Sequence, residues 1–475
     1  MHIENLRLKF PGSEKLLFKD VSISIKEREK VLLLGPSGCG KSTLLHVLSG
    51  VIPHSIEVPM KATSLELPES RGCVFQDPDS QFCMPYVDEE LAFVLENQQI
   101  PRNEMPQIIQ DLLRKVKLEL KDQHTPIYTL SGGMKQKLAI ASALALHPQT
   151  LFLDEPTAML DEDSTKAVWE TVKATCGDKT LLIVEHKLRH VLEIIDRIIL
   201  FDANGKVVAD GSKDAILNTC REELKSVGVW YPEAWEDYLS ARPPKVLDSF
   251  GQLNVKLENF KGYLQKEVKI HVPSAVVHKG EWIAITGKNG AGKSTLLHSL
   301  MKFIQTSGIY ELYGKQVKGK KVPEECTFVF QNPEFQFVTQ RVYDEVAYSY
   351  RLQNMDEDRI EENVDILLNR FKLQEYRDHH PYHLSMGQKR RLSVAASIVR
   401  NKDILLLDEP TFGQDTINTF SLIEMFQEFQ EEGTTILMVT HDKRIITHYA
   451  TRVWVVDEGE VIDEFYQVAV GSKAI

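Results

Sequence analysis

The chain has 475 residues, 43% hydrophobic and 26% charged, and 56 Lys and Arg against 68 Asp and Glu leave a formal net charge of −12. That size and composition suit two large globular domains, and the acidic balance argues against a chain-wide surface for DNA or RNA. The six cysteines, Cys39, Cys73, Cys83, Cys176, Cys220 and Cys326, form no CxxC pair, so neither a disulfide framework nor a zinc site is expected, and no apolar run approaches the roughly 18 to 20 residues of a membrane helix.

In chain order, the opening MHIENLRLKF lacks a signal-peptide core. The apolar run Val31–Leu34 predicts a buried strand leading into Gly35, Pro36, Ser37, Gly38, Cys39, Gly40, Lys41, Ser42 and Thr43, a GxxxxGK[ST] loop. VFQDP follows with Gln76, then a polar, helix-friendly stretch from Val87 to Leu120, then LSGGM at Leu130–Met134. LFLDEP and TLLIVEH predict two more buried strands, ending at Asp154–Glu155 and before His186. Two prolines and a glycine in ARPPKVLDSFG disfavour regular structure, which suggests domains over 1–240 and 251–475 with a linker over 241–250.

The second half repeats the first. Gly287, Lys288, Asn289, Gly290, Ala291, Gly292, Lys293, Ser294 and Thr295 form a second glycine loop, with Lys293 lying 252 residues after Lys41. Gln331 follows Gln76 by 255, Ser385 follows Ser131 by 254, Glu409 follows Glu155 by 254 and His441 follows His186 by 255. A polar stretch from Val342 to Leu373 occupies the place of the first half's helical insert. A register that drifts by three residues over the whole set means a duplicated domain. Strands ending in polar residues, with helices between them, describe a parallel α/β sheet with its functional residues at the carboxyl edge.

The glycine loops suit phosphate because small residues let successive backbone N–H groups curl around the anion at a helix N-terminus. Lys41 and Lys293 then reach the β- and γ-phosphates, and Ser42 and Ser294 offer a magnesium ligand. Asp154 and Asp408 end hydrophobic strands, from where a carboxylate can hold Mg2+ through water. Glu155 and Glu409 are placed to take a proton from the attacking water. A DEP triplet alone also fits a strand end and turn, and a serine with glycines at a helix start also fits a plain N-cap.

Taken together, the ordered motifs resemble the ABC ATPase superfamily, over nearly all of both halves. The resemblance implies two tandem P-loop NTPase domains of α/β class, each a mainly parallel sheet core with an antiparallel β subdomain and a helical subdomain insert. It implies ATP and Mg2+ as ligands, the metal sets being Ser42, Gln76 and Asp154, and Ser294, Gln331 and Asp408. It also implies composite sites. Lys41, Ser42, Gln76, Asp154, Glu155 and His186 would be completed by Ser385 and Gly387, while Lys293, Ser294, Gln331, Asp408, Glu409 and His441 would be completed by Ser131 and Gly133, so that the two halves pair intramolecularly around ATP. Asp161 and Asp415 match the family's D-loop aspartate. Phe10 and Tyr263 are candidates to stack adenine, and either equally suits a core position. Met386 replaces the signature's first glycine and Met134 its final glutamine, so two competent sites with some asymmetry are expected.

VFQDPDSQF and VFQNPEFQF, with TFGQD at Thr411–Asp415, resemble the energy-coupling-factor branch of ABC importers, and the duplication resembles its HMP/thiamine-import type. This likeness implies an ATPase peripheral at the cytoplasmic side of the cell membrane. Its partners would be a T-type transmembrane coupling protein and a small substrate-capture membrane protein, with no nucleic acid. Asp79, Glu334, Glu89, Glu90, Asp344 and Glu345 would receive basic side chains of the membrane partner, or are solvated helix starts. The alternatives are a duplicated sugar-importer ATPase, whose second P-loop is typically degenerate where GKNGAGKST is intact, and a ribosome-associated translation factor, which would carry a charged helical arm and basic surfaces. Cys39, beside a helix N-terminus, is expected to have a lowered pKa and enhanced reactivity where it is accessible, or else is merely a small residue that fits the loop.

Overall fold

A computed structural model describes the chain except for residues 12–14, 37, 159, 246–249, 320, 400–402 and 467–475, and the side chains of 463–466. It divides into two compact units, Met1–Ala234 with Asp415–Ile417, and Trp235–Gln414 with Asn418–Ile475. The units part at Ala234 and Trp235. The reason lies in the helix Ala234–Ala241, whose Tyr238 ring stacks on Phe420 at 3.9 Å and whose Trp235 meets the same ring edge-on. Arg242 adds an ion pair to Glu424. Four residues of the expected 241–250 linker, 246–249, lie outside the described residues.

In the first unit six strands lie in the spatial order Val207–Ser212, Arg197–Phe201, Lys30–Leu34, Thr180–Val184, Thr150–Asp154 and Arg71–Val74. All neighbours pair parallel except the outermost pair, Val207–Ser212 with Arg197–Phe201. The central strands are continuous apolar runs because both of their faces are covered. Leu32 and Leu34 point into a core shared with the helices Val87–Asn97, Met105–Lys115 and Gly132–Ala145, while Val31 and Leu33 point into a core shared with Ile3, Leu6, Phe18 and Leu44. That second face belongs to an antiparallel sheet built on His2–Leu8, Phe18–Ser24, Met60–Lys61 and Ser64–Glu66.

The second unit is built alike, in one ten-stranded sheet. Its parallel core runs Arg452–Asp457, Trp282–Thr286, Thr435–Val439, Ile404–Asp408 and Cys326–Val329, and its antiparallel part rests on the twelve-residue strands Leu253–Leu264 and Glu267–His278. Among the described residues, one parallel bridge, His271 to Glu460, joins the two parts of the sheet. The polar stretches between the glutamine and signature motifs are helical in both units, as Val87–Asn97 and Met105–Lys115, and as Val342–Arg351 and Glu357–Arg370. The fold therefore agrees with the expected pair of α/β domains, antiparallel subdomain and helical insert included.

Candidate functional site

Each glycine loop starts where a largely buried strand ends and stops where a helix begins, at Lys41 in Lys41–Leu48 and at Lys293 in Lys293–Leu300. The turn into the helix needs glycine, since Gly40 and Gly292 have φ of 101° and 107°. A β-carbon at Gly40 would stand 2.7 Å from the Phe18 ring. At Gly287 it would stand 2.0 Å from the Val456 carbonyl, so this loop runs directly against the neighbouring strand. Lys41 Nζ donates to the carbonyls of Gly35 and Pro36 at 2.8 Å, and Lys293 Nζ to those of Gly287 and Lys288 at 2.9 Å. Ser37 lies outside the described residues.

The carboxyl edge of each sheet assembles the rest. Ser42 Oγ donates to Asp154 Oδ1 at 2.8 Å, and Ser294 Oγ to Asp408 Oδ1 at 3.0 Å. Burial raises both aspartates to about 6, against the lowering pull of the serine hydrogen bond. These are hard oxygen donors in a pocket that disfavours an uncompensated charge, which suits a magnesium ion. Glu155 and Glu409 follow directly, in left-handed backbone at φ 45° and 47°, conformations that non-glycine residues seldom adopt. That turn points each glutamate between two partners. Gln76 Nε2 donates to Glu155 Oε2 at 2.9 Å while His186 Nε2 lies 3.1 Å from Oε1; Gln331 Nε2 donates to Glu409 Oε2 at 3.3 Å while His441 Nε2 lies 3.2 Å from Oε1. Burial alone would raise Glu155, but His186 and then Lys41 outweigh it and hold the carboxyl below its ordinary value. Thus glutamine, glutamate and histidine, distant in sequence, form the same three-membered chain in both units.

The signature serines begin helices. Ser131 Oγ accepts from Met134 N at 3.4 Å, and Ser385 Oγ from Gln388 N at 3.3 Å. Gln388 Oε1 also accepts from Ser385 N, closing a capping box that Met134 cannot close in the first unit. Gly133 and Gly387 sit against the next helix, since a β-carbon would come within 3.0 Å of Ser164 and 2.4 Å of Asn418. Asp161 caps that helix in the first unit by accepting from Ser164 N at 2.7 Å.

Several expectations need correction. Cys39 is 1% exposed, and burial raises its thiol pKa despite the nearby Lys41, so the loop cysteine is enclosed rather than reactive. Five of the acids after the glutamine motif already have partners within the chain. Asp79 pairs with Lys135 at 2.7 Å and Glu334 with Lys389 at 2.5 Å. Glu90 is buried and accepts from the backbone N–H groups of Cys83 and Met84; Glu345 is buried and accepts from those of Val338 and Thr339. Asp344 pairs with Arg341 and Arg351. Glu90 and Glu345 thereby shape the loop after the glutamine and are not solvated helix-start charges, and an offset of 255 between them was the available sign of a shared structural task.

Phe10 is 41% exposed, after the strand His2–Leu8, while the ring beneath the first glycine loop is Phe18. Tyr263 lies on the strand Leu253–Leu264, half-buried, and shares a hydrogen bond with Ser307. Motif reading also missed Gln136 and Arg390, which reach back from the signature helices to the carbonyls of Phe75 and Phe330, next to the two glutamines.

The ABC transporter family matches this chain over residues 18–158 and again over 270–412. The chain is 37% identical to "Putative HMP/thiamine import ATP-binding protein YkoD" of Bacillus subtilis, covering 97% of this chain and 90% of that one. It is 34% identical to a protein of Sulfurisphaera tokodaii named "Putative ABC transporter ATP-binding protein", over 97% of each. A solved structure, of the complex of archaeal ribosomal stalk protein aP1 and ribosome recycling factor aABCE1, aligns with 97% of this chain and 90% of the matched chain at a TM-score of 0.62 and 20% identity, a likeness of fold alone. Among the described residues, no helix is long and apolar enough to cross a membrane.

Proposed function

Because the chain belongs to the ABC transporter family and carries its ATP-hydrolysing domain twice, we propose that it is the energy-coupling ATPase of an ECF-type importer, working peripherally at the cytoplasmic side of the cell membrane. The observation that carries the hydrolytic part is the paired glutamine–glutamate–histidine chain, set beside a serine–aspartate pair at each glycine loop. Lys41 and Lys293 bind the phosphates of ATP. Ser42, Gln76 and Asp154 in one unit, and Ser294, Gln331 and Asp408 in the other, would hold Mg2+, whose charge supports the phosphates when bound. The carboxylates of Glu155 and Glu409 accept the proton of the attacking water, and His186 and His441 orient them from the opposite side to Gln76 and Gln331. By the family's head-to-tail arrangement, Ser385 and Gly387 complete the first site and Ser131 and Gly133 the second, with Phe10 and Tyr263 as candidates against adenine.

The import assignment draws on the 37% identity with a protein named for HMP/thiamine import, and on the VFQDP and VFQNP segments. On this reading the partners are a T-type transmembrane protein and a small substrate-capture membrane protein, and the cargo is HMP, thiamine or a related vitamin precursor. The test is co-expression with membrane proteins of these two kinds, followed by purification and uptake of labelled thiamine and HMP into vesicles. Co-purification with ATP-driven uptake supports the reading. Association with ribosomes in place of membrane proteins would overturn it in favour of a translation factor.

A further inference from the structure

The loop that carries His186 holds a buried carboxylate that the hydrolytic chain does not use. Glu185 follows the strand Thr180–Val184, is 1% exposed, and turns its side chain inward. Its Oε2 accepts from Thr157 Oγ1 at 2.5 Å, and its Oε1 accepts from the backbone N–H groups of His186 at 2.8 Å and Lys187 at 3.2 Å. Lys187 closes the same clamp from the other end, because its Nζ donates to the carbonyls of Thr157 at 3.2 Å and Leu160 at 3.0 Å. Residues 156–160 join Glu155 to Asp161 in the sequence. The clamp therefore ties the histidine loop to the segment that leaves the hydrolytic glutamate.

The second unit is built differently at this point. Thr440 stands where Glu185 stands, and its hydroxyl accepts from Asp442 N at 3.1 Å. The side chain of His441 is 32% exposed, whereas that of His186 is 14% exposed. A carboxyl oxygen that accepts from two successive backbone N–H groups fixes a loop at more points than a hydroxyl that accepts from one. We propose that Glu185, with Thr157 and Lys187, is a positioning residue of the first site alone, fixing His186 against Glu155 so that this unit sets its hydrolytic groups by a device the second unit lacks. The inference rests on the reading of Glu155 and His186 as hydrolytic groups.

The experiment measures ATP hydrolysis by the full chain in two backgrounds. Glu409→Gln leaves turnover at the first unit's glutamate, and Glu155→Gln leaves it at the second. Glu185→Thr, which installs the second unit's residue, is expected to lower kcat about tenfold in the Glu409→Gln background with KM for ATP within about twofold, and to change kcat less than about twofold in the Glu155→Gln background. Thr157→Val keeps the side-chain volume but removes one donor, and should show the same split at about threefold. It decides the matter alone if Glu185→Thr fails to fold. Where residual turnover is too slow to follow, single-turnover hydrolysis of bound ATP in the same variants reads the split. Equal losses in both backgrounds, a raised KM with unchanged kcat, or no change would each overturn the proposal. Wild-type rates in both parent backgrounds would instead overturn the hydrolytic reading itself, before Glu185 is touched.

Discussion

The two signature helices differ most where they do the same thing. Gln136 in the first unit and Arg390 in the second project from matching turns and donate to matching carbonyls, Phe75 and Phe330. Arg390 also reaches the Gln331 carbonyl, and burial lowers its pKa to about 10. Lys135 and Lys389 likewise meet an aspartate in one unit and a glutamate in the other. By contrast the groups around the glycine loop and strand ends, serine with aspartate and glutamine with glutamate and histidine, are the same residue types in both units at nearly the same distances. A reacting group is restricted by its chemistry. A supporting group is restricted only by reaching a backbone atom, and several side chains can do that.

If that division holds, matched changes at reacting positions should cost the same in both units and matched changes at supports should not. The largest expected effect is at the glutamates. Glu155→Gln with Glu409→Gln should slow ATP hydrolysis by about 10² to 10⁴ while ATP still binds, as measured by steady-state turnover and nucleotide titration. Near-wild-type turnover in the double variant would remove these residues from the chemistry.

Next come the glycine loops, which share a motif and face matching carbonyls at different distances. Gly287→Ala puts a β-carbon 2.0 Å from the Val456 carbonyl and should destabilise the second unit by about 3 kcal/mol, whereas Gly35→Ala meets the Phe201 carbonyl at 2.9 Å and should cost about 1 to 2 kcal/mol. Thermal melts of the two variants should separate by several degrees, with Gly287→Ala the lower. Equal melts would show that backbone relaxation erases the difference.

The buried aspartates test equality through pH. Their folded pKa of about 6 lies above the unfolded value of 3.8, so the folded state binds more protons between these limits and loses stability as pH rises through them. The cost is fully present above about pH 6, at up to about 3 kcal/mol per site. Without nucleotide or magnesium, Asp154→Asn and Asp408→Asn should therefore raise the melting temperature at pH 7.5, by similar amounts, by roughly half as much at about pH 5, and leave it nearly unchanged at about pH 3, below both limits. A gain that persists undiminished at about pH 3 would assign it to something other than charge burial.

The smallest effect is at the helix caps. Gln388→Met removes one arm of the capping box and should cost about 0.5 to 1 kcal/mol, while Met134→Gln should gain less, because Met134 packs against the helical core. Denaturant melts of the pair, read as midpoint shifts of opposite sign, sharpen the contrast between the two helices.

The glycine loops, the strand-ending acids and both histidines were legible because each is a residue type whose chemistry demands its neighbours, and the duplication confirmed each by position. The helical inserts were legible in outline from their polarity. Side-chain direction was not. Glu90 and Glu345 read as exposed helix-start charges, whereas both fold back onto backbone N–H groups six or seven residues earlier. Asp79 and Lys135 are 56 residues apart, so their pairing exists only once the signature helix packs beside the glutamine loop. Cys39 was misjudged for the same reason: the helix N-terminus is visible in sequence, but the packing that closes over the thiol is not.

The left-handed backbone at Glu155 and Glu409 has a consequence for anyone engineering this chain. Glycine would occupy that conformation freely, at a gain of about 1 kcal/mol or more in local strain relieved. A search for thermostable variants, blind to turnover, would therefore be drawn to the two codons proposed to carry the hydrolytic glutamates. Library selections on this chain should hold both positions fixed, or score ATP turnover alongside melting temperature from the first round.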